Sequence, residues 1–343
     1  MLCAIIMAGG IGSRFWPQST VKKPKQFLNL IGDKTMIQLT YDRIKKLIPE
    51  DNIFIVTNKD YVSLVKEQIP NINDINIITE PCGRNTAPCI LLSSIYLKNL
   101  YGDVNVVCLS SDSYIEKEEE FLKKIESASN YILENKKAIV TLGITPTRAE
   151  TGYGYIKFEN GSNDIKKVLQ FVEKPDIVKA NEYFKSGEYL WNAGMFIFNN
   201  LEMIKEIKEN DTVNYELLKD LPDIADKNYH DFLNRQYEKC NKISIDYAVM
   251  EKSKNVYTIP SSIGWDDVGS WMALSRYTKE DQDNNILKGD IEVIDSHNNV
   301  VYGNNKKIIL LNMDDIFCID SDDALIIGKK EDIKEVAKLK DRG

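Results

Sequence analysis

A loop near the start of the chain combines residues that suit a polyphosphate. Glycines stand at positions 9, 10 and 12, and Arg14 and Lys25 follow them. Glycine lets backbone N–H groups approach an anion closely, and the guanidinium and ammonium groups add positive charge. Phe15 stands where a dinucleotide-binding fingerprint has its third glycine, and no Gly-Lys-Ser/Thr of a P-loop follows. The loop therefore predicts a nucleoside triphosphate site of another type.

Two carboxylates further along the chain suit a metal ion. Asp112 ends the run Val-Val-Cys-Leu-Ser-Ser-Asp, and Asp267 is the second aspartate of Gly-Trp-Asp-Asp-Val-Gly-Ser-Trp. Carboxylates from distant segments suit Mg²⁺, which takes few protein ligands and leaves room for phosphate oxygens and water. The alternative for each is a helix cap or a turn residue.

The secondary-structure elements that would position these candidate residues can be predicted from the chain. Its first half alternates strand-like and helix-like runs. The strand-like runs are Leu2–Ala8, Asn52–Thr57, Ile75–Thr79, Val104–Leu109 and Ala138–Ile144. The helix-like runs are Met36–Leu47, Tyr61–Ile69, Ala87–Leu100 and Glu119–Glu134. This alternation predicts an α/β fold of parallel βαβ units with helices on both faces. Ligands of such sheets bind at the carboxyl ends of strands, so the glycine loop, Glu80–Thr86 and Ser110–Asp112 should open onto one crevice.

From about residue 151 the pattern changes to short β-like runs separated by Gly, Pro and Asn. These runs are Tyr153–Phe158, Val168–Val172 and Met195–Phe198, and a helical stretch follows over residues 201–237. The charged segment around Lys279–Asn285 predicts a linker, so we expect domains over residues 1–280 and 286–343. Short β runs between Ile291 and Ile327 predict a small β domain, and residues 330–340 an amphipathic helix.

Composition narrows the classes of function. A net charge of −8 argues against a nucleic-acid partner, which needs a basic surface. The six cysteines form no C-x-x-C pair and there are only two histidines, which argues against a zinc site. The sequence shows no leader and no apolar run of membrane-spanning length, so we expect no membrane partner, a cytoplasmic location and reduced thiols.

The string from Ala8 to Gln26 resembles the signature of the sugar-nucleotide pyrophosphorylases, in particular the mannose-1-phosphate guanylyltransferases. Matching segments follow in the family's order, so the resemblance covers nearly the whole chain; they are Glu80–Pro88, Gly152–Ile156, Phe171–Pro175, Trp191–Phe196, Ile245–Glu251 and Gly264–Trp271. The departure is Ser110–Ser113, where the family usually has Pro-Ser-Asp-His and this chain keeps the aspartate. The resemblance implies a Rossmann-like, mixed and mostly parallel sheet of the GT-A-like nucleotidyltransferase type. It also implies that the C-terminal β domain is a truncated left-handed β-helix.

The resemblance also assigns roles to individual residues. The nucleotide-binding residues would be Ala8, Gly9, Gly10, Gly12, Ser13, Glu80, Arg84, Asn85 and Thr86. The residues that bind the sugar phosphate would be Gly154, Glu173, Lys174, Asn192 and Gly194. Arg14, Lys25, Asp112 and Asp267 would be catalytic, with the two aspartates holding Mg²⁺.

Some of these residues have other interpretations. Taken alone, Glu80–Pro88 would predict a capped loop, and Glu173–Lys174 an exposed, solvated pair. Asp246 is either a helix cap, which we favour, or an indirect support for the site. Ser113 stands where the family usually has histidine, so any role of that histidine is absent here.

The implied reaction joins GTP and α-D-mannose 1-phosphate, giving GDP-mannose and pyrophosphate by in-line attack on the α-phosphorus. The sugar phosphate is already an anion at neutral pH, so no general base is needed. The alternatives are a nucleotidyltransferase for another sugar 1-phosphate, such as glucose 1-phosphate, and a non-catalytic homologue that senses nucleotide sugars. The presence of Lys25, Asp112, Lys174 and Asp267 disfavours the sensor. The oligomeric state stays open, a homodimer being one option.

Overall fold

A computed structural model describes residues 1–10 and 15–342 of the chain. Contacts divide the chain into two units, the first comprising residues 1–9 and 40–266 and the second residues 10–39 and 267–343. Within the residues described, no helix is long and apolar enough to span a membrane.

The first unit is built on one large sheet flanked by helices. Its strands are β1 Leu2–Met7, β2 Ile53–Asn58, β3 Ile77–Glu80, β4 Asn105–Ser110, β5 Tyr114–Ile115, β6 Ile139–Ile144, β7 Tyr155–Phe158, β8 Lys166–Val172, β9 Tyr189–Asn199, β10 Val256–Ser261 and β11 Trp265–Asp266. Its α-helices are α1 Met36–Ile44, whose first residues belong to the second unit, α2 Val62–Gln68, α3 Thr86–Tyr101, α4 Glu118–Glu134, α5 Ile177–Ser186, α6 Asn200–Asn210, α7 Thr212–Leu218 and α8 Tyr229–Tyr237. A π-helix spans Asp246–Met250.

The large sheet has nine strands in the order β3-β2-β1-β4-β9-β6-β10-β8-β7. Parallel pairing joins β3, β2, β1 and β4, and also β6 and β10. Strand β9 runs antiparallel to β4, β6 and β7, and β8 runs antiparallel to β10 and β7. The predicted mixed sheet is therefore present, with fewer parallel pairs than a mostly parallel sheet has.

Two features of this sheet depart from the sequence pattern. The predicted run Met195–Phe198 belongs to the end of the longer strand β9, and β10 was not predicted at all. The middle of β9 is apolar and almost continuously buried, as expected of a strand covered on both faces. A strand of this kind lacks the alternation of apolar and polar residues that would have revealed its length.

The C-terminal part of the second unit consists of short stacked strands. They are β12 Ile286–Lys288, β13 Ile291–Ile294, β14 Val300–Tyr302, β15 Ile308–Leu311, β16 Ile316–Asp320 and β17 Leu325–Lys329, preceded by helix α9, Trp271–Leu274. Strands β12, β14 and β16 pair in parallel, β13 pairs in parallel with β15, and β17 closes the larger sheet antiparallel to β16. Stacked coils of parallel strands agree with the expected β-helix in general arrangement, and its left-handed winding stays a prediction.

Residues 10–39 belong with the C-terminal coils to the second unit. The linker around Lys279–Asn285 and the two domains that it would separate stay a prediction. The indole Nε1 of Trp271 donates to the carbonyl of Trp16 at 3.2 Å, and the Trp271 ring lies edge-on 5.3 Å from Phe15. Lys288 on β12 donates to the carbonyls of Asn29 and Leu30. These long-range contacts attach the early segment to this unit.

The last segment, Lys330–Arg342, is a 3₁₀-helix. The segment predicted as an amphipathic helix is therefore helical, but it is a 3₁₀-helix and not an α-helix. Ile333 and Val336 are its buried side chains among those described, and their spacing of three residues places them on one face of a 3₁₀-helix.

A ladder of asparagine side chains holds the coils together. The amide of Asn299 donates to Asn285 Oδ1 at 3.0 Å and to the carbonyl of Met313 at 2.7 Å, and its Oδ1 accepts from the N–H of Ile316 at 3.0 Å. Asn299 is fully buried, so water cannot replace these bonds.

We expect Asn299→Ala to destabilise the protein strongly. Each buried backbone or amide group left without a partner costs about 1–3 kcal/mol, so the free energy of unfolding should fall by about 3 kcal/mol or more. Urea denaturation followed by tryptophan fluorescence would measure this, because Trp271 belongs to the same unit. The control is Asn305→Ala, which removes an exposed amide; equal losses in the two variants would contradict the ladder's role.

Candidate active site

The carboxyl end of β1 is fixed before the chain reaches the glycine loop. The N–H of Ala8 donates to the carbonyl of Val56 at 2.7 Å, and Thr57 Oγ1 donates to the carbonyl of Ala8 at 3.0 Å. A Cβ added to Gly9 would lie 2.7 Å from Glu80 Oε2, so a larger residue would press on that carboxylate. Gly9 and Glu80, both predicted nucleotide-binding residues, are therefore neighbours.

Glu80 ends β3 and is buried. The hydroxyl of Tyr237 donates to its Oε1. Burial raises the pKa of the Glu80 carboxyl to about 7, although the Tyr237 hydrogen bond acts in the opposite direction. The group is thus close to half-protonated at neutral pH, which is unusual for a glutamate.

The other predicted nucleotide-binding residues of the Glu80–Thr86 segment lie close to residues 238–245. Arg84 donates to the carbonyl of Glu238, and Thr86 Oγ1 accepts from the N–H of Ile245 at 2.8 Å. Asn85 has a left-handed backbone (φ 67°), and its side chain accepts from the N–H of Thr86 at 2.8 Å. Asn85 is therefore the N-cap of α3, which begins at Thr86.

The predicted sugar-phosphate residues form a second cluster. A Cβ on Gly154 would lie 2.5 Å from Glu173 Oε2, so a larger residue would displace that carboxylate. The N–H of Asn192 donates to the carbonyl of Gly154 at 2.8 Å, and Asn192 Oδ1 accepts from the N–H of Gly194 at 3.1 Å. Gly194 has a φ of 67°, which favours glycine.

Lys174 completes this cluster through an ion pair with its neighbour. Its Nζ lies 2.8 Å from Glu173 Oε1, and the hydrogen bond to Glu173 raises the pKa of Lys174. The Glu173 side chain is only 8% exposed, whereas that of Lys174 is 57% exposed. A buried carboxylate beside an accessible ammonium is not the solvated surface pair that the two residues alone would suggest.

Asp246 belongs to the same cluster, contrary to our preference for a helix cap. It opens the π-helix, and no side chain caps that helix. Its Oδ1 instead accepts from Asn192 Nδ2 at 2.9 Å. Burial, followed by the nearby charge of Glu173, raises the pKa of Asp246 to about 6.

Asp112 follows β4 at the carboxyl edge of the sheet. Ser110 Oγ donates to its Oδ1, and Ser113 beyond it is buried. Its half-exposed carboxylate oxygens are the ligand type that Mg²⁺ prefers. In residues 1–10 and 15–342, no group of three or more His, Cys, Asp or Glu side chains is placed so that it could hold a metal ion, so a closed protein cage is absent from the part described. A metal that keeps water and phosphate ligands needs no such cage.

The second unit holds the other predicted catalytic residues that the structure describes. Lys25 Nζ donates to the backbone carbonyl of Asp267 at 2.5 Å and lies 5.8 Å from the centre of the Phe15 ring. The carbonyl of Gly10 accepts from Gln26 Nε2 at 2.9 Å. Gly12, Ser13 and Arg14 lie outside the described residues.

Two residues that contact the site, and a third that contacts the neighbouring Trp191, were missed from the sequence. Tyr237 bonds to Glu80 across 157 positions, and Thr141 Oγ1 donates to Asn192 Oδ1 at 3.2 Å. The guanidinium of Arg148 lies 5.2 Å from the Trp191 ring, beside the strand residue Asn192. Arg148 had a usable signal, because it stands just before the glycine-aromatic segment Gly152–Ile156.

The sheet and its polar clusters define an α/β protein that binds ligands beside the carboxyl ends of its strands. Glu80 is the last residue of β3 and Asp112 follows β4, so both occupy this position. Sequence comparison identifies the family. The chain belongs to the nucleotidyl transferase family, whose profile it matches over residues 3–284.

Relatives of known sequence and structure agree with this assignment. The chain is 39% identical to mannose-1-phosphate guanylyltransferase RfbM of Salmonella typhimurium strain LT2, over 98% of this chain and 71% of the relative. It is 37% identical to the alginate biosynthesis protein AlgA of Pseudomonas aeruginosa, over 97% and 71%. A crystal structure from Thermus thermophilus, described as a mannose-1-phosphate geranyltransferase, superposes with a TM-score of 0.86 at 30% identity, over 99% and 98% of the two chains.

The raised pKa of Glu80 predicts a pH-dependent stability. Between about pH 4.5 and pH 7 the unfolded chain loses the Glu80 proton while the folded protein keeps it, so the folded state loses stability as the pH rises. At about 1.4 kcal/mol per pKa unit, the loss is about 3 kcal/mol by pH 8.

Glu80→Gln should remove this pH dependence. Relative to the parent protein, the free energy of unfolding of the variant should therefore rise by about 3 kcal/mol between pH 4.5 and pH 8. Urea denaturation at several pH values, without nucleotide, would measure the gain. The exposed carboxylate of Glu67 provides the control variant Glu67→Gln, since its carboxyl is not desolvated. A pH-independent difference between Glu80→Gln and the parent would contradict the assigned pKa.

Proposed function

We propose that the protein transfers GMP from GTP to α-D-mannose 1-phosphate, giving GDP-mannose and pyrophosphate. The observation that carries the proposal is the cluster of Gly154, Glu173, Lys174, Asn192 and Gly194 in a member of the nucleotidyl transferase family. Two relatives at 38–39% identity bear the name mannose-1-phosphate guanylyltransferase, which supports this choice of substrates.

The proposed reaction is one in-line displacement. A phosphate oxygen of the sugar 1-phosphate forms a bond to the α-phosphorus of GTP, while the bond from that phosphorus to the oxygen bridging to the β-phosphate breaks. Pyrophosphate leaves with the electron pair, and no proton has to move. The protein's task is to hold two polyanions together and to stabilise charge at the α-phosphoryl group.

We assign Lys174 and Glu173 to the sugar phosphate. The accessible ammonium of Lys174 would neutralise the phosphate, and Glu173 would accept hydrogen bonds from sugar hydroxyls. Lys25 would act at the α-phosphate and Arg14 on the β- and γ-phosphates, while Gly10, Gly12 and Ser13 would supply backbone donors.

The guanine base would be read by Glu80 and Asn85, near Arg84 and Thr86. Ionised Glu80 can accept from the N1–H and the amino group of guanine. The Asn85 oxygen is engaged in capping α3, which leaves its NH₂ group as a donor for the O6 of guanine. Guanine binding would therefore favour the ionised form of Glu80 and lower its pKa.

We propose that Asp112 and Asp267 hold Mg²⁺. When bound, the ion would neutralise charge on the phosphates. The oxygen donors fit this metal, as the half-exposed Asp112 carboxylate indicates.

Three further proposals concern the whole molecule. A left-handed winding of the coils is supported by the resemblance to the family. A homodimer is supported by exposed apolar side chains on β15, where Ile309 and Leu311 are 56% and 59% exposed. A cytoplasmic location is supported by six cysteines that are all free of disulfides.

The decisive experiment measures pyrophosphate release for a matrix of four nucleoside triphosphates against several sugar 1-phosphates, with and without Mg²⁺. We expect the highest kcat/KM for GTP with mannose 1-phosphate, and activity that requires Mg²⁺. Preference for another pair, such as one with glucose 1-phosphate, would replace the assigned substrates. Nucleotide-sugar binding without any turnover would instead support a non-catalytic sensor.

Lys25 and Lys174 should affect different kinetic constants. Lys25→Ala should lower kcat and kcat/KM together, on the order of a thousandfold, because its charge acts on the transition state. Lys174→Ala should mainly raise KM for mannose 1-phosphate, because that phosphate is charged before reaction.

The control for this pair of variants is Lys157→Ala, since Lys157 forms a similar ion pair with Glu188 at 3.0 Å. Steady-state kinetics with each substrate varied in turn would separate the effects. A higher KM for GTP in Lys174→Ala, with that for mannose 1-phosphate unchanged, would show that Lys174 does not belong to the sugar site.

A further inference from the structure

The amide of Asn192 is held at both ends by the protein. Its Oδ1 accepts from the N–H of Gly194 at 3.1 Å and from Thr141 Oγ1 at 3.2 Å. Its Nδ2 donates to Asp246 Oδ1 at 2.9 Å. An amide NH₂ group has two donors, so one N–H of Asn192 remains for another partner.

Asp246 decides which way this amide faces. The N–H of Gly194 can only donate, and an ionised carboxylate can only accept, so the two groups specify opposite ends of the amide. The Thr141 hydroxyl has one proton, for which the carbonyl of Met195 at 3.0 Å competes with Asn192 Oδ1, so Thr141 does not fix the amide. Without Asp246, one of the two groups that oppose a flipped amide is lost.

Asp246 directly follows a residue that contacts the proposed base-binding segment. The N–H of the preceding residue, Ile245, donates to Thr86 Oγ1 at 2.8 Å, next to the proposed base-reading residues. The π-helix begins at Asp246, and such single-turn π segments are frequent at functional sites. This backbone is therefore anchored directly before the carboxylate and continues into the π-helix.

Charged neighbours surround the Asp246 carboxylate. Glu173 raises its pKa and Lys174 lowers it, while Asn192 donates to it. Glu173 is in turn attached to the same segment, because its N–H donates to Glu251 Oε1 at 3.3 Å. Asp246 thus touches or faces three of the proposed sugar-phosphate residues.

We propose that Asp246 is a positioning residue for the sugar 1-phosphate, acting through Asn192. It holds the amide in the orientation that leaves one N–H donor for a sugar hydroxyl. The inference rests on the proposed function of this cluster. It predicts that Asp246 and Asn192 act on substrate binding as one unit.

The test is a double-mutant cycle on KM for mannose 1-phosphate, using Asp246→Ala, Asn192→Ala and the double variant. Each single change should raise this KM about tenfold or more, the size expected for a lost hydrogen bond to a polar substrate group. The double variant should be no worse than the more affected single variant, because both changes remove the same donor. KM for GTP should change by less than about threefold.

Two further variants separate positioning from folding. Asp246→Asn keeps an acceptor oxygen and should restore KM to within about threefold of the parent value. Asp103→Ala is the matched control, because Asp103 also accepts from an asparagine of β9, Asn199, at the other end of that strand. This control should leave KM for the sugar phosphate unchanged.

The outcomes distinguish this inference from the proposed function. The parent protein is assayed first, and the cycle uses whichever sugar 1-phosphate it turns over best. Multiplicative losses in the double variant, an unchanged KM in Asp246→Ala, or failure of Asp246→Asn to restore binding would each overturn the positioning role. None of these results depends on the sugar being mannose.

Discussion

The antiparallel pairing of β9 between β4 and β6 is the constraint on which the cluster of Gly154, Glu173, Lys174, Asn192 and Gly194 depends. Its register sets Gly143 opposite Asn192 and Ile144 opposite Trp191. Side chains alternate between the two faces of a strand, so a slip by one residue would turn Asn192 away from Gly154, Glu173 and Asp246. Burial of β9 on both faces opposes such a slip, because it would also misplace the apolar residues that follow.

Carboxyl groups with little access to water are the second theme of this unit. Glu80 and Asp246 are both buried enough to raise their pKa values, and Glu173 is almost inaccessible beside an exposed lysine. Holding such groups costs free energy in the empty protein, which a ligand with hydroxyl or N–H donors can recover. The arrangement therefore favours ligands rich in donors, as guanine and a hexose are.

Local patterns allowed the first half of the fold to be predicted well. Strands β1 to β4 and helices α2 to α4 follow apolar runs whose period and length are distinctive. Strand β10 and the full length of β9 were missed because buried strands lose the polar alternation on which prediction relies. The grouping of residues 10–39 with the C-terminal coils could not be predicted, since it depends on contacts such as that of Trp271 with Trp16.

The site residues show the same division between local and long-range information. Glu173, Lys174 and Asn192 were named from short segments, and the structure brings them together. Long-range partners were not predicted, because Thr141 bonds to Asn192 across 51 positions and Tyr237 bonds to Glu80 across 157. The cap assigned to Asp246 was wrong because its hydrogen bond to Asn192, from another segment, replaced a local one.

Successive C-terminal coils are spaced by 14 residues between β12 and β14 and by 17 residues in the next step, from β14 to β16 and from β13 to β15. Ile291 pairs with Ile308, and Asn298 bonds to Asp315, its counterpart one coil later. Left-handed backbone conformations recur at the same spacing, at Asp295 and Asn312 and again at Asn298 and Asp315. In evolution, the length of this region can therefore change by whole coils more easily than by single residues. A one-residue deletion would put every later corner out of phase, whereas a duplicated coil would leave each corner stacked on its counterpart.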